Sequence, residues 1–137
     1  MTSDVLFSKK TDHWATPTDL YNELNNEFHF TFDPCPLHAK FDGLNIDWGT
    51  SVFVNPPYSN ITSFLEKAHK ELHKQSKIIV FLVPSRTDTK WFHNFVYHQA
   101  ELRFIKGRLK FGMSKNSAPF PSMICIFKTG IDNDETE

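Results

Sequence analysis

Four consecutive residues carry the clearest chemistry in the chain: Asn55, Pro56, Pro57 and Tyr58, set directly after the apolar run Ser51-Val52-Phe53-Val54. A buried strand ending this way delivers a polar side chain, two prolines and an aromatic to its carboxyl end, the edge where open α/β sheets bind ligands. The prolines stiffen the corner and bring no N–H to compete for nearby carbonyls. The Asn55 side-chain oxygen and the Pro56 carbonyl can then both face a pocket as acceptors. An exocyclic amino group on a flat ring has two hydrogens to give. Accepting both draws its nitrogen toward tetrahedral geometry and frees the lone pair for attack. Such a corner needs rigid acceptors and no strong base, and Tyr58 is placed to stack on the ring. A tetrapeptide of this pattern arises by chance in roughly one chain in 200 of this length. The plain alternative is a stiff turn with Tyr58 simply packed.

The elements that must hold this corner follow from period and punctuation. A helix starts near Thr16-Pro17-Thr18, with Thr16 or Thr18 as its cap, and Leu20, Tyr21, Leu24 and Phe28 recur at helical spacing. A first strand is expected over 29–32, stopped by Asp33-Pro34-Cys35-Pro36, whose prolines cannot donate to a ladder. Residues 37–50 read as irregular, with turns at Gly43 and Gly49. Past the corner, Ser59 or Asn60 caps a helix with Ile61, Phe64, Leu65, Ala68 and Leu72 on one face. Further strands are predicted over 77–83, 102–105, 109–111 and 123–127, with a helix over 88–98 carrying Trp91, Phe92, Phe95 and Val96. A turn at Lys106-Gly107-Arg108 joins two of these strands. Strands alternating with helices predict an α/β fold: a largely parallel sheet, helices on both faces, and a C-terminal antiparallel hairpin.

At 137 residues the chain holds one domain, read here as a loose arm over 1–13, a folded body over 14–130 and an acidic tail over 131–137. The net charge of -1 conceals an asymmetry, because Asp132, Asp134, Glu135 and Glu137 leave 15 basic against 12 acidic side chains elsewhere. Between Arg86 and Lys128 eight basic residues face only Asp88 and Glu101, a balance suited either to a polyanion or to a solvated basic face. Arg103, Lys106, Arg108, Lys110 and Lys115 lie on the expected hairpin, and Arg86 and Lys90 beside the strand after the corner; all seven are candidates for DNA contact. Fourteen Phe, three Trp and three Tyr can fill a core or stack on bases. Two cysteines form no disulfide framework and fit a reducing compartment. The first residues lack the apolar run of a signal peptide, and no stretch approaches the roughly 20 apolar residues of a membrane span, so a cytoplasmic setting is expected.

Asn55-Pro56-Pro57-Tyr58 resembles the catalytic motif of amino-group DNA methyltransferases, and the wider pattern is similar to the phage-type DNA N-6-adenine methyltransferase (Dam) family. The matching pieces are Trp14-Ala15-Thr16-Pro17, the stretch from Glu27 to Asp33, Asp47-Trp48, the stretch from Val83 to Phe92, and the stretch from Ile105 to Phe111. The likeness runs over about 13–128. It implies S-adenosylmethionine as cosubstrate, adenine in DNA as target and an abbreviated Rossmann-like methyltransferase sheet. It also implies that Trp14, Thr16 and Pro17 line the methionine end of the cofactor. Asp33 with Pro34 matches the end of the first strand, and Asp47 matches a later acidic residue near the adenosine. One departure stands out. The glycine-rich turn usual after the first strand is absent, with no glycine between Asp33 and Gly43, and only 18 residues separate Asp33 from Val52.

Bland readings stand beside several of these. Asp33 can serve as a turn acceptor before Pro34, Asp47 as a loop cap, and Trp14 can bury in the core. Cys35 and His38 have the spacing of half a metal site, but nothing supplies a second pair, so no metal is expected. His69 and His73 lie among charged residues and read as solvated surface. Three functions remain in play: an adenine methyltransferase, a DNA-binding or regulatory protein that has lost the cofactor, and an enzyme acting on an amino group of RNA or cytosine. A chain this small either discriminates little among DNA sequences or borrows surface from a second copy as a homodimer.

Overall fold

The computed structural model describes residues 13–110 and 118–129. Lys115, most of the expected arm and the acidic tail lie outside them. Four strands, β1 (Ser51–Val54), β2 (Ile78–Pro84), β3 (Glu101–Phe104) and β4 (Ser122–Lys128), form one sheet in the order β1-β2-β4-β3. β1 and β2 are parallel, with Ser51 beside Ile78 and Val54 beside Phe81, whereas β4 runs antiparallel to both β2 and β3. The expectation of a mostly parallel sheet is therefore corrected. α2 (Ile61–Leu72) carries the crossover between the parallel pair, but β4 inserts between β2 and β3, which run in the same direction, so β1 and β2 are the only parallel neighbours among the described strands.

The strand expected over 29–32 is reduced to a single parallel bridge, Phe32 to Val52. His29 shows why. It closes α1 (Thr18–Phe28) in the left-handed region at φ 52, donating its N–H to Asn25 O, while the Asn25 side chain takes the Phe30 N–H. The chain thus leaves the helix in a tight cap and meets β1 through the backbone bonds Thr31 N to Ser51 O and Phe53 N to Phe32 O, with the Thr31 hydroxyl also bonded to Ser51. The expected strand at 109–111 is not one at its described positions; Leu109 accepts from Ala118 N instead.

Alternation along the strands divides the core into two layers. Phe53, Val80, Leu82, Ile124 and Ile126 meet Leu24 and Phe28 of α1 on one face. Val52, Val54, Ile79, Phe81 and Phe127 meet Phe64, Leu65 and Ala68 of α2 and Phe92 of α3 (Lys90–Phe95) on the other. Each such side chain fully removed from water contributes about 1.5–3 kcal/mol, and helices lie on both faces as expected. α3 begins where the Thr89 hydroxyl accepts from Phe92 N.

The second layer is pinned by a buried carboxylate. Glu71 on α2 receives Lys67 at 3.0 Å, Lys74 at 2.8 Å and Lys77 at 3.3 Å, and accepts from Trp48 N at 3.1 Å. Burial pushes its carboxyl up, but the hydrogen bonds from Lys74, Lys67 and Trp48 outweigh it and hold the group at about 2. Lys77 is itself buried, and donates further to Trp48 O and Gly49 O.

Candidate active site

β1 delivers Asn55 and Pro56, both buried, to its carboxyl end, and Tyr58 opens the short 3-10 turn that leads into α2. The Asn55 side-chain nitrogen donates to Trp14 O at 2.7 Å and to Thr16 Oγ1 at 2.9 Å. Its backbone carbonyl accepts from His13 Nε2 at 2.8 Å and from the Cys35 thiol at 3.4 Å. Its side-chain oxygen has no partner among the described residues, although the residue is only 5% exposed. Buried polar atoms are almost always paired, so an orphaned acceptor at this corner marks a place built for a donor.

A cavity of about 270 Å³ adjoins it, lined by Trp14, Thr16, Tyr21, Asp33, Phe53 and Asn55 among others. Asp33 is the charged group there. Burial pushes its carboxyl up to about 6, against the single hydrogen bond its Oδ1 accepts from Cys35 N at 2.9 Å. Burial, with Asp33 close by, also lifts the Cys35 thiol above its usual range, so it stays protonated and able to donate. A second cavity of about 290 Å³ shares His13, Cys35 and Pro36 with the first and is further walled by Pro34, Phe41 and Pro57.

The loop between them shows what replaces a glycine-rich turn. At Gly43 an added Cβ would sit 1.8 Å from Pro34 O, so the loop closes on itself through the one residue without a side chain. Trp48 Nε1 donates to Gly43 O at 2.8 Å and holds the closure.

Of the residues read toward a cofactor, Trp14, Thr16 and Asp33 line the first cavity and Pro34 the second. Pro17 and Asp47 line neither. Pro17 is the cap residue of α1, its carbonyl taken by Tyr21 N, and Asp47 is exposed in an ion pair with Lys74 at 2.6 Å. Tyr58 is half-buried, edge to face with Phe120 at 5.2 Å, and Arg86 lies over the other partner of that pair at 5.6 Å. Lys90, Lys106, Arg108 and Lys110 are exposed. Arg103 differs from them. Its guanidinium clasps Glu27 with two bonds at 2.7 and 2.8 Å, reaches Glu101, and lies over Phe28, tying β3 to α1.

His13, Tyr21 and Phe53 were not singled out by sequence, and Cys35 was weighed there only as half of a metal site. Tyr21 and Phe53 read only as packing, and His13 as the end of an arm; its adjacency to Trp14-Ala15-Thr16-Pro17 was the one available signal.

Comparisons with known proteins bear on the chain as a whole. A profile of the family described as DNA N-6-adenine-methyltransferase (Dam) matches residues 3–134. A DNA N-6-adenine-methyltransferase of Haemophilus phage HP1 (strain HP1c1) is 28% identical over 142 aligned positions, covering 88% of this chain and 82% of that protein. With a match that spans nearly every residue, the chain belongs to the DNA N-6-adenine-methyltransferase (Dam) family.

Proposed function

We propose that the protein methylates the N6 amino group of adenine at particular sites in DNA, with S-adenosylmethionine as donor. The observation that carries this reading is the buried, unpartnered Asn55 Oδ1 beside a cavity at the end of β1. An amine is the donor that such an oxygen lacks. Asn55 Oδ1 and the Pro56 carbonyl accept the two N6 hydrogens, the nitrogen leaves planarity, and its lone pair becomes nucleophilic. Neither oxygen removes a proton at this stage; their work is orientation and charge placement. Tyr58, half-buried and edge to face with Phe120, is the platform for a base turned out of the stack.

The donor fits the first cavity. Asp33 presents a desolvated carboxyl whose burial is offset only by the Cys35 N–H, which suits a cationic ligand group, and Trp14 and Thr16 complete the same wall. When bound, S-adenosylmethionine supplies an electrophilic methyl group. Arg86, Lys90, Lys106, Arg108 and Lys110 would neutralise phosphates. No described helix is long and apolar enough to cross a membrane, and the reading puts the enzyme in the cytoplasm, that of the host if a phage carries it.

The test is nucleoside mass spectrometry of DNA incubated with the protein and labelled donor. Wild type is expected to yield N6-methyladenine and Asn55→Ala to yield less by at least a hundredfold, the scale on which removing one oriented polar group acts. Label on cytosine or RNA instead would redirect the reading, and a folded Asn55→Ala that still methylates adenine would end it. Calorimetry with S-adenosylhomocysteine checks the cavity separately, because a flat titration would turn the protein into a binding module.

A further inference from the structure

We infer that Trp14 and Thr16 are the positioning element of Asn55, and that they make the corner specific for an amide rather than a carboxylate at that residue. The inference rests on the proposed role of Asn55 Oδ1. A primary amide offers two N–H donors on one side and one oxygen on the other. Trp14 contributes a carbonyl, which can only accept, 2.7 Å from the Asn55 side chain. The atom facing it must therefore be nitrogen. Thr16 Oγ1 takes the second hydrogen at 2.9 Å. With both hydrogens used, the amide cannot flip, and Oδ1 is left as the acceptor, buried and unpaired. The backbone of the same residue is fixed by His13 and Cys35 on its carbonyl.

A second observation supports this. Thr16 stands where a side-chain cap of α1 is expected, yet the helix has no side-chain cap hydrogen bond and starts at Thr18 after Pro17. The hydroxyl is turned from that task toward a residue 39 positions along the chain. An aspartate at 55 would set a carboxylate oxygen against Trp14 O with no hydrogen between them. The substitution is close in shape and opposite in what this clamp requires.

The experiment uses the full chain with Thr16→Val, Thr16→Ser and Asn55→Asp, with Thr16→Ala in reserve should the valine fail to fold. Steady-state kinetics is expected to show kcat falling roughly tenfold in Thr16→Val, the worth of one well-placed hydrogen bond. Thr16→Ser should restore it, and the loss in kcat should exceed any loss of S-adenosylhomocysteine affinity several-fold. Asn55→Asp should lose at least a hundredfold in kcat. A loss in Thr16→Val that falls on S-adenosylhomocysteine affinity in place of kcat would make Thr16 a cofactor contact and overturn the inference. Nitrogen-edited NMR of the unliganded protein reads the clamp without turnover. The Asn55 side-chain amide pair should exchange several-fold faster in Thr16→Val, and an unchanged pair would equally overturn it. Should wild type transfer no methyl group at all, the functional reading falls, while the NMR result still decides whether the clamp exists.

Discussion

Asp33→Asn isolates the energetic cost of keeping an acid in the first cavity. In the folded chain its carboxyl is pushed from 3.8 up to about 6, and each unit is worth about 1.36 kcal/mol. A folded value above the unfolded one means that the folded protein holds its proton longer. Stability from this group is thus complete below about 3.8, declines as pH rises, and is gone above about 6. The difference over that window is about 3 kcal/mol. Asparagine keeps an oxygen for the Cys35 N–H, so the substitution removes charge and little else. The assay is urea unfolding of both proteins at half-unit steps from pH 3.5 to 7.5, taking the difference at each pH so that other titrating groups cancel. The variant is expected to match wild type at the acid end and to exceed it by up to about 3 kcal/mol at neutrality. A difference that stays flat across the window, or a variant less stable at pH 7, would refute the placement of a desolvated carboxyl in the cavity.

Glu71→Gln should behave in the opposite sense. Its folded carboxyl is held at about 2, below 4.5, so its stabilisation is complete above about 4.5 and vanishes as pH falls through about 2. Loss of the charge beside buried Lys77 should cost about 3 kcal/mol at pH 7 and progressively less in acid, measured by the same unfolding series. Gly43→Ala drives a methyl group into Pro34 O and should cost at least ~2 kcal/mol while weakening S-adenosylhomocysteine binding; wild-type behaviour in both would show that the loop is packed otherwise. Salt titrations of DNA binding separate two arginines. Arg108→Ala should lower the log–log salt slope by about 1, whereas Arg103→Ala, already committed to Glu27, should leave the slope alone and lower the melting temperature.

Short-range signals were the ones that sequence exposed well. The apolar run before Asn55, the continuous run now seen as β2 and the helical period of α2 all report burial patterns contained within a few residues. The tetrapeptide Asn55-Pro56-Pro57-Tyr58 belonged with them, because two prolines after a strand define a corner without help from elsewhere. What escaped was set by partners far along the chain. Thr16 looked like a helix cap until Asn55 claimed its hydroxyl, and Arg103 looked like a phosphate contact until Glu27 took both its nitrogens. The strand at 29–32 shrank to a bridge because a left-handed His29 redirected the chain, a conformation that stays uncommon in residues other than glycine. The direction of β4 between β2 and β3 is likewise a matter of topology that period cannot disclose.

Residues 34–36 serve as a party wall, with Cys35 and Pro36 facing both chambers at once. The consequence is coupling. A substitution there reshapes the two chambers together, so a change confined to one of them has to arise at the outer rims, near Leu37 and Phe41, before it can arise from the wall.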